Sequence, residues 1–363
     1  MGTILVAAGG GGDAITAAAL PTPLELEQPV VIMTYSWDRL MIDPVPGPRS
    51  AEDFTGLRQL AANLWEVLSQ TRPNPPAGSS LPRLAKHLPG HLLLLDPAAG
   101  AVGMAAQIVA AATEFDADSL TVIDVGGDAL TTGQDPGLRS PLADQLAIAA
   151  CLRSGLPGQL VIAAPGVDGE IDPATLRHRL KDLRSRRLPT LTATDFDPVR
   201  RVFEWHPSEA SGLLLAAADG HRGYVQVRDA GDQVALTDDT ASLHGLDLDE
   251  LRPNVPATSL VDTASLGDAE EIIERITGIS ELRYETQKAA RRSESPEHRV
   301  TTADLDQVDH QAKQAADQGA DYISMRRLSE LIGATTLNGF AALGQLLAQH
   351  RPDRYAPSIY RCR

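Results

Sequence analysis

Five short apolar runs punctuate the first half of the chain, at residues 4–8, 30–35, 91–95, 120–125 and 159–163. None alternates between apolar and polar positions. Runs such as VVIMTY and LLLL therefore read as strands covered on both faces, as in a parallel sheet. Between them, the pattern predicts helices over 52–70, 98–115 and 141–153. A shorter helix, 14–20, is stopped by Pro21 and Pro23. Strand and helix in alternation predict an α/β fold with a doubly wound, mainly parallel sheet. Residues 71–82 (TRPNPPAGSSLP) read as a surface loop, either a connector or a lid.

The second half is patterned differently. A basic helix is expected over 173–188, its arginines on a solvated face. Helices follow at 198–205 and 208–217. Residues 224–228 and 233–237, joined by DAGD, predict a small antiparallel hairpin. One more strand is expected at 259–262. From residue 264 the pattern is mostly helical, at 264–277, 280–290, 302–318, 323–332 and 339–350, with a polar break over 291–299. The expected organisation is one α/β domain over residues 1–363, with the sheet in 1–260 and a mostly helical portion in 261–363.

Composition narrows the function. Hydrophobic residues make up 43% of the 363, enough for a large core, but aromatics only 4%. That core must be built of Ala, Leu, Val and Ile. A net charge of −16 argues against nucleic acid or an anionic membrane as partner. The same charge argues against DNA binding by the helical pair in 320–347, despite its helix-turn-helix spacing. No run approaches the length needed to span a bilayer, and no basic-then-apolar leader opens the chain. Cys151 and Cys362 are far apart, with neither metal-ligand nor disulfide spacing. The expectation is a cytoplasmic protein acting on a small molecule, alone or as a homo-oligomer.

The candidate chemistry lies at four predicted strand ends. GGGGD (9–13) follows the first strand, DPAAGAVG (96–103) the third, DVGGDALTTG (124–133) the fourth and APGVDGE (164–170) the fifth. In an open parallel sheet, ligands bind outside the carboxyl ends of strands. Gly9, Gly10, Gly11 and Gly12 let the backbone turn sharply and offer amides to an anion. Gly126, Gly127 and Gly166 would shape the neighbouring loops. Asp13, Asp124, Asp128, Asp168 and Glu170 would converge there. Like charges in one site need protons or a metal. Asp128 and Asp168 are the candidate ligands of a divalent ion such as Mg2+. Asp13, Asp128 and Asp168 are the candidate catalytic acids and bases. Asp13, Asp128 and Asp168 also have a plainer role open to them, as caps of a helix or a turn.

The loop after the fourth strand runs on into LRSPLAD (138–144). Ser140 and Pro141 suit an N-cap and a first helical position. Arg139 beside them could grip a carboxylate or phosphate, or pair at the surface with Asp135 or Asp144. Thr131 is a further candidate donor to the ligand, and Arg326 a further candidate arginine. His206, between Trp205 and Pro207, reads as a core histidine. No Walker loop is present. Gly9, Gly11 and Ala14 satisfy G-x-G-x-x-A, with Asp38 after the second strand, but a glycine tetrad matches that pattern almost automatically.

With these residues assembled, the chain resembles a family of uncharacterised archaeal and actinobacterial proteins, a domain of unknown function. The matching stretches are GGGGD, DVGGDAL, LRSPLAD, PGVDGE (165–170) and GADYISMRRL (319–328). The resemblance implies an α/β, enzyme-like domain and supplies no activity. The leading expectation is an enzyme of hydrolase or lyase/cyclase type acting on a small phosphate- or carboxylate-bearing metabolite. The alternatives are a non-catalytic small-molecule-binding or regulatory protein and, third, a dinucleotide-dependent enzyme.

Overall fold

A computed structural model describes residues 2–227, 231–292 and 298–363. β1 (Gly2–Ala7), α1 (Gly11–Ala17) and β2 (Val31–Thr34) open the chain. Four short strands follow, β3 (Phe54–Thr55), β4 (Arg58–Ala61), β5 (Leu64–Glu66) and β6 (Arg72–Pro73), then α2 (Leu81–Leu84) and β7 (His91–Leu94). Next come α3 (Gly100–Glu114), β8 (Ala117–Val125), α4 (Pro141–Ser154), β9 (Gly158–Ala163), α5 (Pro173–Asp182) and β10 (Arg186–Leu188). α6 (Glu209–Ala218), β11 (Gly223–Val227), β12 (Asp232–Leu236) and β13 (Leu243–Asp247) precede α7 (Leu266–Thr277) and α8 (Glu281–Arg292). The remainder is α9 (Leu305–Asp317), β14 (Tyr322–Ser324), α10 (Met325–Leu331), α11 (Leu337–His350), β15 (Tyr355–Ala356) and β16 (Ile359–Arg361).

The main sheet has nine strands in the order β10-β13-β9-β8-β1-β2-β7-β5-β4. Its centre, β9-β8-β1-β2-β7, is wholly parallel. Antiparallel strands close both sides, β13 on β9 and β5 on β7. Successive side chains of a strand point to opposite faces, and both faces are covered. Leu5 and Ala7 pack with Ile15 of α1 and Leu213 of α6, whereas Ile4 and Val6 pack with Met104 and Ile108 of α3 and Leu146 of α4. This double burial is why the central strands are apolar without alternation. Each fully buried Leu or Ile side chain contributes about 1.5–3 kcal/mol by leaving water.

A second sheet, β12-β11-β14-β16-β15, joins the predicted hairpin to the end of the chain. Its pairs are antiparallel except β11 with β14. The hairpin's connection at 228–230 and most of the polar break at 291–299 lie outside the described residues.

Several expected elements are different in the structure. Residues 52–70 form no long helix but a 3-10 turn (Ala51–Asp53) and the strands β3, β4 and β5. β4 and β5 make a hairpin whose β5 caps the edge of β7, with Leu64 fully buried and Trp65 opposite Leu94. Edge pairing outweighs the helical propensity of this segment. The basic helix ends at Asp182, and Arg186–Leu188 becomes an edge strand. Residues 198–205 form a 3-10 helix over Arg200–Glu204. The strand expected at 259–262 is instead a 3-10 helix, Pro256–Leu260. β13 escaped the pattern because His244 and Gly245 interrupt its apolar residues, and the C-terminal β14, β15 and β16 because they are short. Residues 71–82 are tied down: Thr71 donates to the carbonyl of Gly56, and the Ser80 hydroxyl and amide both donate to Asp38.

Candidate functional site

The strand order places a cleft. From β1 the chain steps to β2 and β7 on one side, then crosses to β8 and β9 on the other. Loops leaving β1 and β8 therefore diverge, and a crevice opens at the carboxyl ends of the strands between them. A cavity of about 130 Å³ lies there. Six aspartates (Asp13, Asp38, Asp124, Asp128, Asp144, Asp168) and four glutamates (Glu170, Glu209, Glu281, Glu285) line it. Arg39 and His206 are the basic side chains in the wall among the described residues.

Two trios stand out. One carboxylate oxygen each of Asp13, Asp124 and Asp144 lie within 4.8 Å of one another, and so do those of Asp128, Asp168 and Glu170. Local structure explains each placement. Asp13 sits in the first turn of α1 and accepts from the Gly9 amide at 3.0 Å. Asp124 is the penultimate residue of β8 and accepts from the Ala129 amide. Asp128 opens a 3-10 turn, Asp128–Leu130. Asp144 lies in the first turn of α4, where Pro141 begins the helix. Asp168 and Glu170 follow β9, and an oxygen of Asp168 accepts from the Glu170 amide. Glu170 closes the start of α4, accepting from the Arg139 amide and from both the amide and hydroxyl of Ser140. Ser140 thus stands at the N-cap position, but its hydroxyl serves Glu170.

Crowding these acids out of water disfavours their charged forms. Burial pushes Asp13 up to about 7, against the lowering effect of the Gly9 and Val125 amides. Burial first, and neighbouring carboxylates second, hold Asp124, Asp128 and Asp144 well above the usual range. Glu281 is raised in the same way, by burial and then by Glu285. Burial lifts Asp38 to about 6 although Ser80 bonds both its oxygens. Without a cation, these groups hold their protons to higher pH than ordinary carboxylates do. A bound divalent cation would displace them.

The predicted residues divide clearly. Asp13, Asp128, Asp168 and Glu170 line the cavity, as do Gly9 and Gly12. Gly10, Gly11, Gly126, Gly127 and Gly166 stand behind the wall. Gly10, at φ +96°, turns the chain where a Cβ would lie 2.9 Å from the carbonyl oxygen of Trp37. Gly126, at φ +132°, leaves room for Asp168, whose carboxyl carbon would be 2.4 Å from a Cβ there. Its carbonyl also accepts from the Gly166 amide at 2.6 Å, which ties the β8 and β9 loops together. Thr131 is turned away: its hydroxyl donates to Asp135, itself gripped by both terminal nitrogens of Arg179. Arg139 pairs with Asp232 of β12, not with Asp135 or Asp144. Asp96, in the remaining loop, accepts from the Ala51 and Ala98 amides and is no part of the cavity.

The sequence left other wall residues unassigned. Asp144 is one, hidden in a motif whose Arg and Ser drew attention. Glu281 and Glu285 are another pair, and their i,i+4 spacing in ELRYE puts two like charges on one helical face, a usable signal. Glu281 accepts from the Leu142 amide, and Glu285 from the Trp37 indole and the Gly47 amide. Glu209 accepts from the Ser324 hydroxyl. His206 lines the cavity, and burial lowers it to about 3, so its ring is neutral. Its Nδ1 accepts from the Ser208 amide, which leaves the proton on Nε2.

Outside the acidic floor lies a second chamber of about 110 Å³, with a different balance. Arg39, Arg139, Lys288 and Arg326 line it, together with Tyr284 and several of the same acids. The mouth therefore mixes cations with the acids of the floor.

Residues 4–289 match the family described as "Protein of unknown function (DUF1152)". The chain belongs to that family. The DUF1152 match takes in the GGGGD, DVGGDAL, LRSPLAD and PGVDGE stretches, and both carboxylate trios. GADYISMRRL lies beyond it. No curated protein and no solved structure matches this DUF1152 chain. Among its described residues, no helix is long and apolar enough to cross a membrane.

Proposed function

We propose that the chain is a divalent-cation-dependent enzyme, of hydrolase or lyase type, acting on a small metabolite that carries a phosphate or carboxylate. One observation carries this reading: Asp128, Asp168 and Glu170, from two separate loops, bring carboxylate oxygens within 4.8 Å of one another at the floor of a cavity. An all-oxygen set suits a hard cation such as Mg2+ or Mn2+. A wall of ten carboxylates repels an anion unless a cation lies between. With the cation held by Asp128, Asp168 and Glu170, the substrate's anionic group would meet positive charge at the floor. Arg39, Arg139 and Arg326 at the mouth would steer the same group inward. Asp13, near 7, could exchange a proton close to neutral pH. The Gly9–Gly12 turn would place Asp13, and Gly126, Gly127 and Gly166 would hold the two loops. The unpaired Cys151 and Cys362 accord with a reducing compartment, and we assign the activity to the cytoplasm.

The test is a turnover screen over phosphate esters, sugar phosphates and small carboxylates, run with Mn2+ or Mg2+ and again after chelation. Wild type is compared with Asp168→Asn, chosen because Asp168 is only half-buried. Cation-dependent turnover lost in the variant is the expected result. Cation binding with no turnover of any class would favour a binding or regulatory protein. No cation binding at all would remove the basis of the proposal.

A further inference from the structure

We infer that Asp13, Asp124 and Asp144 form a second divalent-cation site beside the first, so that the centre is binuclear. The inference rests on the cation-dependent reading of the same cavity and makes it more specific. Geometry supplies the first support: the three residues come from α1, β8 and α4, and one oxygen of each lies within 4.8 Å of the others. A cluster of acids alone would not suffice, since acids can share protons. The second support is independent of the clustering. Asp144 is only 5% exposed and lines the cavity, yet its Oδ1 is fully buried with no hydrogen-bond donor. Burying an acceptor without a partner is costly. Asp13 has the Gly9 amide and Asp124 the Ala129 amide, whereas this oxygen of Asp144 is left for a ligand. A buried, donor-free oxygen on a carboxylate grouped with two others suits a cation and not an anion.

The two trios adjoin. Asp124, at the end of β8, and Asp128, in the 3-10 turn that follows it, lie four residues apart on one connection, and both line the same cavity. With all ligands oxygen, and no Cys or His in either trio, the two cations would again be hard ions such as Mg2+ or Mn2+. Asp13 would then serve as a ligand, not as the proton carrier of a single-cation site. Paired cations can hold one anionic group from both sides, which favours a phosphoryl group over a lone carboxylate as the substrate's reacting end.

The test is Mn2+ stoichiometry on the chelated full chain, by calorimetric titration and by metal analysis of the desalted complex. We expect about two Mn2+ per chain in wild type and about one in Asp144→Asn, with Asp168→Asn also retaining about one. Electron paramagnetic resonance of the loaded wild type should show a spin-coupled pair. This readout decides the matter even if Asp144→Asn fails to fold. A single Mn2+ in wild type with only an isolated-ion spectrum would overturn the second site and leave the first intact. Two Mn2+ retained in a folded Asp144→Asn would overturn the assignment to this trio. No bound Mn2+ would remove both sites together.

Discussion

The cation-free protein should lose stability as pH rises through neutrality, and Asp13 allows the size of the effect to be worked out. In the folded chain its carboxyl is raised from 3.8 to about 7, chiefly by burial. The folded state therefore binds this proton more tightly than the unfolded state. That contribution is fully present below about pH 4 and is lost as pH rises through about 7. Three pH units at about 1.4 kcal/mol each give about 4 kcal/mol in all. About 2.5 kcal/mol of it is lost between about pH 5 and pH 8. Asp13→Asn removes the titration while its side-chain carbonyl can still accept from the Gly9 amide. Urea unfolding in the presence of a chelator, followed by circular dichroism, measures both chains at the two pH values. The stability of the variant relative to wild type should rise by about 2.5 kcal/mol on going to pH 8. Saturating Mn2+ should return stability to wild type at pH 8. A difference that stays constant with pH, or that falls, would refute the burial argument for Asp13.

Other perturbations follow from the same geometry. Gly126→Ala should cost about 1–3 kcal/mol in urea unfolding and weaken Mn2+ binding, because the new methyl meets the Asp168 carboxyl at a positive φ; unchanged binding would mean that Asp168 is not held by this loop. Asp135→Ala should cost about 1–3 kcal/mol by removing the two-pronged partner of the half-buried Arg179, which keeps only the Leu130 carbonyl, with no change in Mn2+ stoichiometry. Ser80→Ala should destabilise by about 1–2 kcal/mol, since it removes the hydroxyl that bonds the buried Asp38. It should also raise Asp38 further above 6, a shift that NMR titration would detect.

Much of the central sheet was legible because burial on both faces writes itself into composition. β1, β2, β7, β8 and β9 are unbroken apolar runs, and their loops carry glycine and aspartate. The rule that ligands sit at the carboxyl ends of parallel strands then placed Asp13, Asp124, Asp128, Asp168 and Glu170 near one another before any coordinates. What the sequence hid was decided by pairing across long distances. β5 is too short to declare itself, and only the open edge of β7 makes it a strand. β13 lies well over a hundred residues from β8 and finds its place by pairing with β9. The acids of α8 reach the cavity because Glu281 bonds the amide of Leu142, a contact between segments 139 residues apart. Nor could spacing tell that Thr131 would turn to Asp135, or that Arg139 would reach β12. Those choices depend on which partner the folded loops bring closest.

The second sheet bears on where this protein could be divided. The family match stops at residue 289, yet β11, inside that limit, hydrogen-bonds to β14, outside it. Ser324 bonds Glu209 of the cavity wall, and Arg326 lines the mouth. The matched region and the hydrogen-bonded sheet therefore do not end at the same residue. A chain cut at 289 would leave one edge of β11 open at Val225 and Gln226, which pair with Tyr322 and Ile323. An unpaired edge of that kind recruits other chains. The segment beyond residue 289 is thus a structural seal on a sheet whose other strands lie inside the matched region.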